Sequence, residues 1–239
     1  MERKIRKMAI LIFLIIGIGL LTYPYSIQKI YDKAASNRIE SFEKIKQLGW
    51  GAVGEKAEGE DEANFWELYK QMQKYNLDLY ENGQEGFSDA WSYQKASFDL
   101  TVWGFEDNMV GYIEIPRMGI KMPLYLGASE DNMSKGAVHL TETSLPIGGE
   151  NTNCVIAAHR GYSRAAMFRD IEKLQVGDRI YVTNLWETLL YNVVEFKVIN
   201  PNETSEVLIK ARQDLVTLIT CHPYRYNYQR YVVYCERVV

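Results

Sequence analysis

Cysteine is scarce in this chain, and the little there is fits no metal or redox pattern. The three residues are Cys154, Cys221 and Cys235, with no CxxC among them. His139, His159 and His222 fall at no familiar zinc spacing, so neither a metal nor any other cofactor is expected. A basic excess is missing too. Twenty-seven Lys and Arg face 31 Asp and Glu, a formal net charge of -4, which excludes the electrostatic footprint that nucleic-acid binding requires. No internal repeat is visible, and only one long hydrophobic run occurs.

That run covers residues 8–28 and carries no charged side chain. About 20 apolar residues cross a bilayer as a helix, so it is long enough to be a transmembrane anchor. Arg3, Lys4, Arg6 and Lys7 precede it, and Tyr23 and Tyr25 suit the far interface. This polarity predicts a single-pass protein of the cell membrane, N-terminus cytoplasmic and the rest extracellular. A cleaved signal peptide is the rival reading, but Thr22, Tyr23, Pro24 and Tyr25 stand where small residues should mark a cleavage site. An odd number of cysteines outside the cell leaves at least one thiol unpaired, which is unusual there.

Beyond the run, residues 26–47 are amphipathic, with Ile27, Ile30, Tyr31, Ala34 and Ala35 near helical spacing. Residues 49–62, rich in Gly and charge, read as a solvated linker. Residues 63–82 predict a second helix with Phe65, Leu68, Tyr69, Met72, Tyr75 and Leu79 on one packing stripe. From residue 109 the texture changes to short strands: 109–127 broken by Pro116, Gly119 and Pro123, then 153–159, 178–184, 188–200, 214–221 and 230–238. Residues 167–174 suggest one short helix. The division expected is a cytoplasmic tail and anchor (1–28), a helical region (29–108) and a mostly β domain (109–239), a sandwich or barrel.

The chemistry concentrates in residues 217–234. A strand ends at Cys221, the loop HPYRYNYQ follows, and a second strand starts at Arg230. Paired as a hairpin, the thiol and the guanidinium become cross-strand neighbours. Each residue alone is ambiguous: a cysteine in an apolar strand is usually a small core residue, and a histidine such as His159 is more often structural than catalytic. Their joint placement at element ends facing loops is what points to a site. Cys154 and Cys235 lie on strands with no such neighbours and read as core.

TLITC, with an arginine nine residues later, resembles the TLxTC signature of the sortases. The segment VIAAHRGYSRAAMFRDIEKLQVGDRIYV is similar to that family's histidine region, and GYIEIPRMGIKMPLYLG and KGAVHLTETSLPIGGENTN look like its early strands. HRGY, SLPIGG and the Cys-x-Pro-Tyr of residues 221–224 look most like class C, the pilin-polymerising members. The resemblance implies an eight-stranded β-barrel preceded by N-terminal helices and a transmembrane helix. It also implies a cysteine transpeptidase with Cys221 as nucleophile, His159 as proton carrier and Arg230 as substrate and oxyanion holder. The implied substrate is a surface or pilin protein with an LPXTG-like sorting motif, cut between Thr and Gly, and the implied acceptor is a pilin lysine or a peptidoglycan precursor amine. Thr220, beside the nucleophile, either orients substrate or packs the strand, and His222 is a competitor for the base.

Class C members commonly carry a lid with Asp-Pro-aromatic over the site. Here Asp89-Ala90-Trp91, within residues 88–93, stands at a suitable place, with Ala90 where the family has proline. They also commonly carry a C-terminal membrane segment, whereas this sequence stops at Val239, just after its last strand. Two alternatives therefore stay open: a sortase that attaches proteins to peptidoglycan, and a membrane-tethered β-barrel binding module without catalysis.

Overall fold

The computed structural model describes residues 2–48, 60–84, 96–161 and 165–238. It opens with α1, Glu2–Leu48, an unbroken helix of 47 residues that carries Pro24 inside it. At 1.5 Å per residue it is about 70 Å long. The expected anchor and the amphipathic segment behind it are thus one element, and the division expected at residue 28 falls in mid-helix. Its apolar N-terminal window has none of its surface buried by protein, which suits a segment solvated by lipid. Its C-terminal part docks on the barrel through Ala35, Ile39 and Phe42. Ile30, one of the residues read near helical spacing, is exposed, because the buried row runs one helical step round from it.

Two side-chain bonds fix the helix to the domain. The Tyr31 hydroxyl donates to the Lys135 carbonyl at 3.1 Å, and Gln28 Oε1 accepts from the Ala166 N–H at 2.7 Å. Helix α2, Glu60–Asn82, packs the row Leu68, Met72 and Leu79, while Phe65, Tyr69 and Tyr75 of the expected stripe are half-buried. Buried Asn76 binds both backbone groups of Leu145, accepting from its N–H and donating to its carbonyl.

The domain is a closed eight-stranded barrel. Its strands are β1 (Met109–Ile115), β2 (Ile120–Leu126), β3 (Ala137–His139), β4 (Thr152–Ala157), β5 (Arg179–Asn184), β6 (Thr188–Ile199), β7 (Asp214–His222) and β8 (Gln229–Arg237), in the order β1-β2-β3-β4-β7-β8-β6-β5. Closure leaves no unpaired edge to template aggregation. All pairings are antiparallel except β2 with β3 and β4 with β7.

Two local expectations are corrected. Residues 167–174 hold only a 3-10 turn, Ile171–Lys173, whose N-cap residue Asp170 makes no side-chain cap bond. A short helix not expected from the sequence, α3 (Glu130–Lys135), is also present, although the residues that start it are there to read. The Ser129 side chain caps it by accepting from the Asn132 N–H, and Glu130 and Asp131 lie in its first turn.

Candidate active site

The barrel's strand order assembles one rim from residues far apart in sequence. β4 and β7 are parallel neighbours, with Ala157 opposite Ile219. Two residues further on, the two chains reach His159 and Cys221 at the same end of the barrel. β7 and β8 are antiparallel, and their register sets Cys221 directly opposite Arg230. The cross-strand pairing expected of the thiol and the guanidinium is therefore present. The parallel β4–β7 pairing, which no local pattern in the sequence reveals, is what adds His159.

Each group is held from behind. Thr220 is buried, and its hydroxyl donates to the Ala158 carbonyl at 2.7 Å, stitching β7 to the residue before His159. The His159 carbonyl accepts from the Phe168 N–H at 3.0 Å, so the loop that leaves the histidine folds back onto it. Gly161, at φ 85°, makes the turn in a conformation that side chains avoid, and a Cβ there would lie 3.3 Å from the Tyr224 ring. Arg230 is buried, and its Nη1 donates to the carbonyls of Asn227 and Gln229, at 2.7 and 3.0 Å, bracing the β7–β8 loop.

Cys221 is partly exposed, whereas Cys154 and Cys235 are buried and unbridged. Burial pushes both of those thiols well above the ordinary range, as befits inert core residues. The histidines separate as clearly. His139 lies fully buried, its Nε2 bonded to the Thr143 carbonyl at 3.0 Å, and burial lowers its pKa to about 4. His159 is partly buried at the rim, and desolvation of the imidazolium lowers its pKa.

His222 belongs to a different group. Its Nδ1 lies 2.7 Å from Arg160 Nη1 and 3.4 Å from Glu172 Oε1. A guanidinium only donates, so that ring nitrogen is an acceptor and is already engaged. Arg160 follows His159 in HRGY, and no local pattern marks it as buried. A charged residue beside a histidine reads as solvated, yet its side chain is only 3% exposed. Asp89 and Trp91, the expected lid, lie outside the described residues.

Residues 113–238 match the Sortase domain family model. Among curated proteins, the chain is 28% identical over 131 residues to sortase D of Bacillus subtilis (strain 168), covering 54% of this chain and 63% of that protein. It is 30% identical over 125 residues to sortase A of Bacillus anthracis, covering 52% and 58%. The chain thus spans less than two thirds of these curated relatives. Solved structures align further. Sortase C-1 from Streptococcus pneumoniae is 36% identical, with 85% of this chain and 98% of that one covered and a TM-score of 0.71. Sortase C1 of GBS Pilus Island 1 gives 28% identity, 86% and 92% coverage and a TM-score of 0.72.

Proposed function

The chain belongs to the sortase family, and we propose that it is a class C member: a cysteine transpeptidase that joins sorting-motif proteins to an amine during pilus assembly. The observation that carries this reading is the strand register that gathers Cys221, His159 and Arg230 at one rim. The similarity to sortase C structures supports the class, because it extends over the helical region as well as the barrel.

The chemistry follows from the groups. A free cysteine has a pKa of about 8.5, and the Arg230 cation opposite Cys221 favours its thiolate. Sγ adds to the Thr carbonyl carbon of an LPXTG-like motif and forms a tetrahedral oxyanion. Collapse breaks the Thr–Gly amide bond, and the departing Gly nitrogen takes a proton from the His159 imidazolium. A thioester remains. The acceptor amine, a pilin lysine in this reading, adds to the thioester carbonyl and gives its proton to the now neutral imidazole. Sγ then leaves as thiolate, which restores the starting pair. Arg230 stays charged throughout and cannot be a base. Its five N–H donors make bracing the hairpin compatible with contacting the oxyanion, an interaction typically worth about 2.7–4 kcal/mol.

Asp89 and Trp91 belong to a lid in this proposal, the carboxylate facing Arg230 and the indole shielding the thiol. The membrane topology proposed is an N-terminus in the cytoplasm and the barrel outside. Incubating the chain with a sorting-motif peptide should give an acyl adduct on Cys221 by mass spectrometry, and Cys221→Ala should abolish cleavage. Cleavage at the wild-type rate by that variant overturns the assignment, and absence of any adduct favours the binding module. Pilin subunits supplied as both donor and acceptor should yield covalent ladders. Wall attachment without ladders selects the peptidoglycan alternative.

A further inference from the structure

Behind the rim lies a charged cluster that the reaction as described does not use. Arg160, next in sequence to His159, turns its side chain inward rather than to solvent. Its Nη2 lies 2.6 Å from Glu172 Oε2, and its Nη1 donates to the Cys221 carbonyl at 3.2 Å and to His222 Nδ1 at 2.7 Å. Its guanidinium also sits 5.8 Å from the centre of the Tyr231 ring, which packs against His222. Glu172 comes from the 3-10 turn Ile171–Lys173, so one guanidinium joins three segments: the stretch after β4, that turn, and the end of β7.

A cation at this depth is costly unless it is paired and hydrogen-bonded. Apolar side chains of similar volume often serve stability as well or better than a buried ion pair. What an apolar side chain cannot do is bond to the backbone of a particular residue. Here that residue carries the thiol, and the arginine's own neighbour carries the imidazole. The planar fork of a guanidinium reaches several partners in fixed directions, which the single ammonium of a lysine does not.

We propose that Arg160, oriented by Glu172, is a positioning residue for the reaction: it locks the backbone of Cys221 to that of His159, so that Sγ and imidazole keep their mutual geometry while the acyl group is loaded and unloaded. Arg160 acts through these two residues and need not touch substrate. His222 contributes as the acceptor that fills the remaining side of Nη1. This inference rests on the assignment of Cys221 and His159 made above.

The test is steady-state turnover of a sorting-motif peptide with an amine acceptor by the full chain in detergent, for wild type, Cys221→Ala, Arg160→Lys, Glu172→Gln and the Arg160→Lys/Glu172→Gln double variant. Loss of positioning by a residue outside the chemistry costs up to about 10²-fold, so Arg160→Lys should lower kcat by about 10- to 100-fold. KM should stay within about twofold, because ground-state binding is untouched. Rates are normalised to molecules with a titratable thiol, so that a folding defect is not counted as a rate defect. Glu172→Gln keeps an oxygen acceptor for Nη2 and should fall between wild type and Arg160→Lys. The double variant should be no slower than Arg160→Lys, since the two residues act as a unit. A normalised kcat for Arg160→Lys equal to wild type, or a double variant showing two independent losses, overturns the proposal. If Arg160→Lys does not fold, half-exposed Glu172 decides alone, and an unchanged kcat in Glu172→Gln is the overturning result. Wild type that fails to turn over, or Cys221→Ala that does, removes the site assignment and this inference with it. Active wild type beside undiminished variants removes only the inference.

Discussion

At the scale of single residues, the site depends on environments that separate chemically identical groups. Three cysteines share one barrel, but only Cys221 reaches the rim, and burial holds the other two thiols in their neutral form. For His159, burial disfavours the imidazolium and moves its pKa below the ordinary imidazole value of about 6.5. A group with a depressed pKa gives up its proton earlier as pH rises, so protonated His159 is populated only on the acid side of that value. The kcat/KM profile reports the free enzyme's essential groups. The productive state pairs a thiolate with the imidazolium. With the thiol near its ordinary pKa of about 8.5, above that of the imidazole, this pair is a constant minor fraction between the two values and falls away below the lower one. The acid limb should therefore have a midpoint below pH 6.5, measured with the sorting-motif peptide across about pH 4 to 9. A midpoint at or above 6.5 removes His159 as the origin of that limb. Much of this scale was legible in the sequence, because TLITC, the following arginine and the histidine region each carry a local pattern. Arg160 was not. Its burial depends on Glu172, Cys221 and His222 converging on it, and those residues are separated from it by stretches of chain whose path no local pattern reveals.

At the scale of elements, β7 and β8 form the part most readable in advance, since two strands and the loop between them are contiguous and their register follows from the ends. The expected pairing of Cys221 with Arg230 is the observed one. The parallel contact of β4 with β7 was beyond reach. It joins residues 152–157 to 214–219 across two other strands, and strand periodicity carries no information about which strand is a neighbour. Helices fared less evenly. The long periodic stretch of α2 was plain, while α3 is only 6 residues, too short for a helical stripe to register. Around residues 167–174 the apolar spacing suggested a helix, but the chain there turns back to bond His159, which leaves room for a single 3-10 turn. The proposed lid is tested at this scale. Asp89→Ala or Trp91→Ala should speed alkylation of Cys221 by a small thiol reagent several-fold, the anchor of the cover being lost in either case. Equal rates in wild type and both variants mean that residues 88–93 do not cover the thiol.

At the scale of the whole molecule, the chain divides by solvent rather than by secondary structure. One helix passes from a stretch of exposed aliphatics, Leu21 among them at 83% exposure, to a face that buries Phe42 against the barrel. The apolar part contributes nothing to the core, so removing residues 2–25 should leave the barrel folded. Its melting temperature should stay within about 2 °C of the full chain, a smaller shift than 1 kcal/mol would cause in a domain of this size. The full chain should remain in membranes after alkaline carbonate washing, and the truncated chain should not. A large fall in melting temperature on truncation would assign the apolar segment to the protein interior instead.

Under the proposed topology, the handhold between Gln28 and Ala166 would set the enzyme's working altitude. Gln28 is the last residue of the apolar run, and Ala166 lies two residues before Phe168, whose N–H clasps the His159 carbonyl. In the proposed topology the reacting groups are therefore moored close above the lipid headgroups rather than at the barrel's far pole. Partners that are themselves confined to the bilayer would meet them by lateral diffusion, searching a plane instead of a volume.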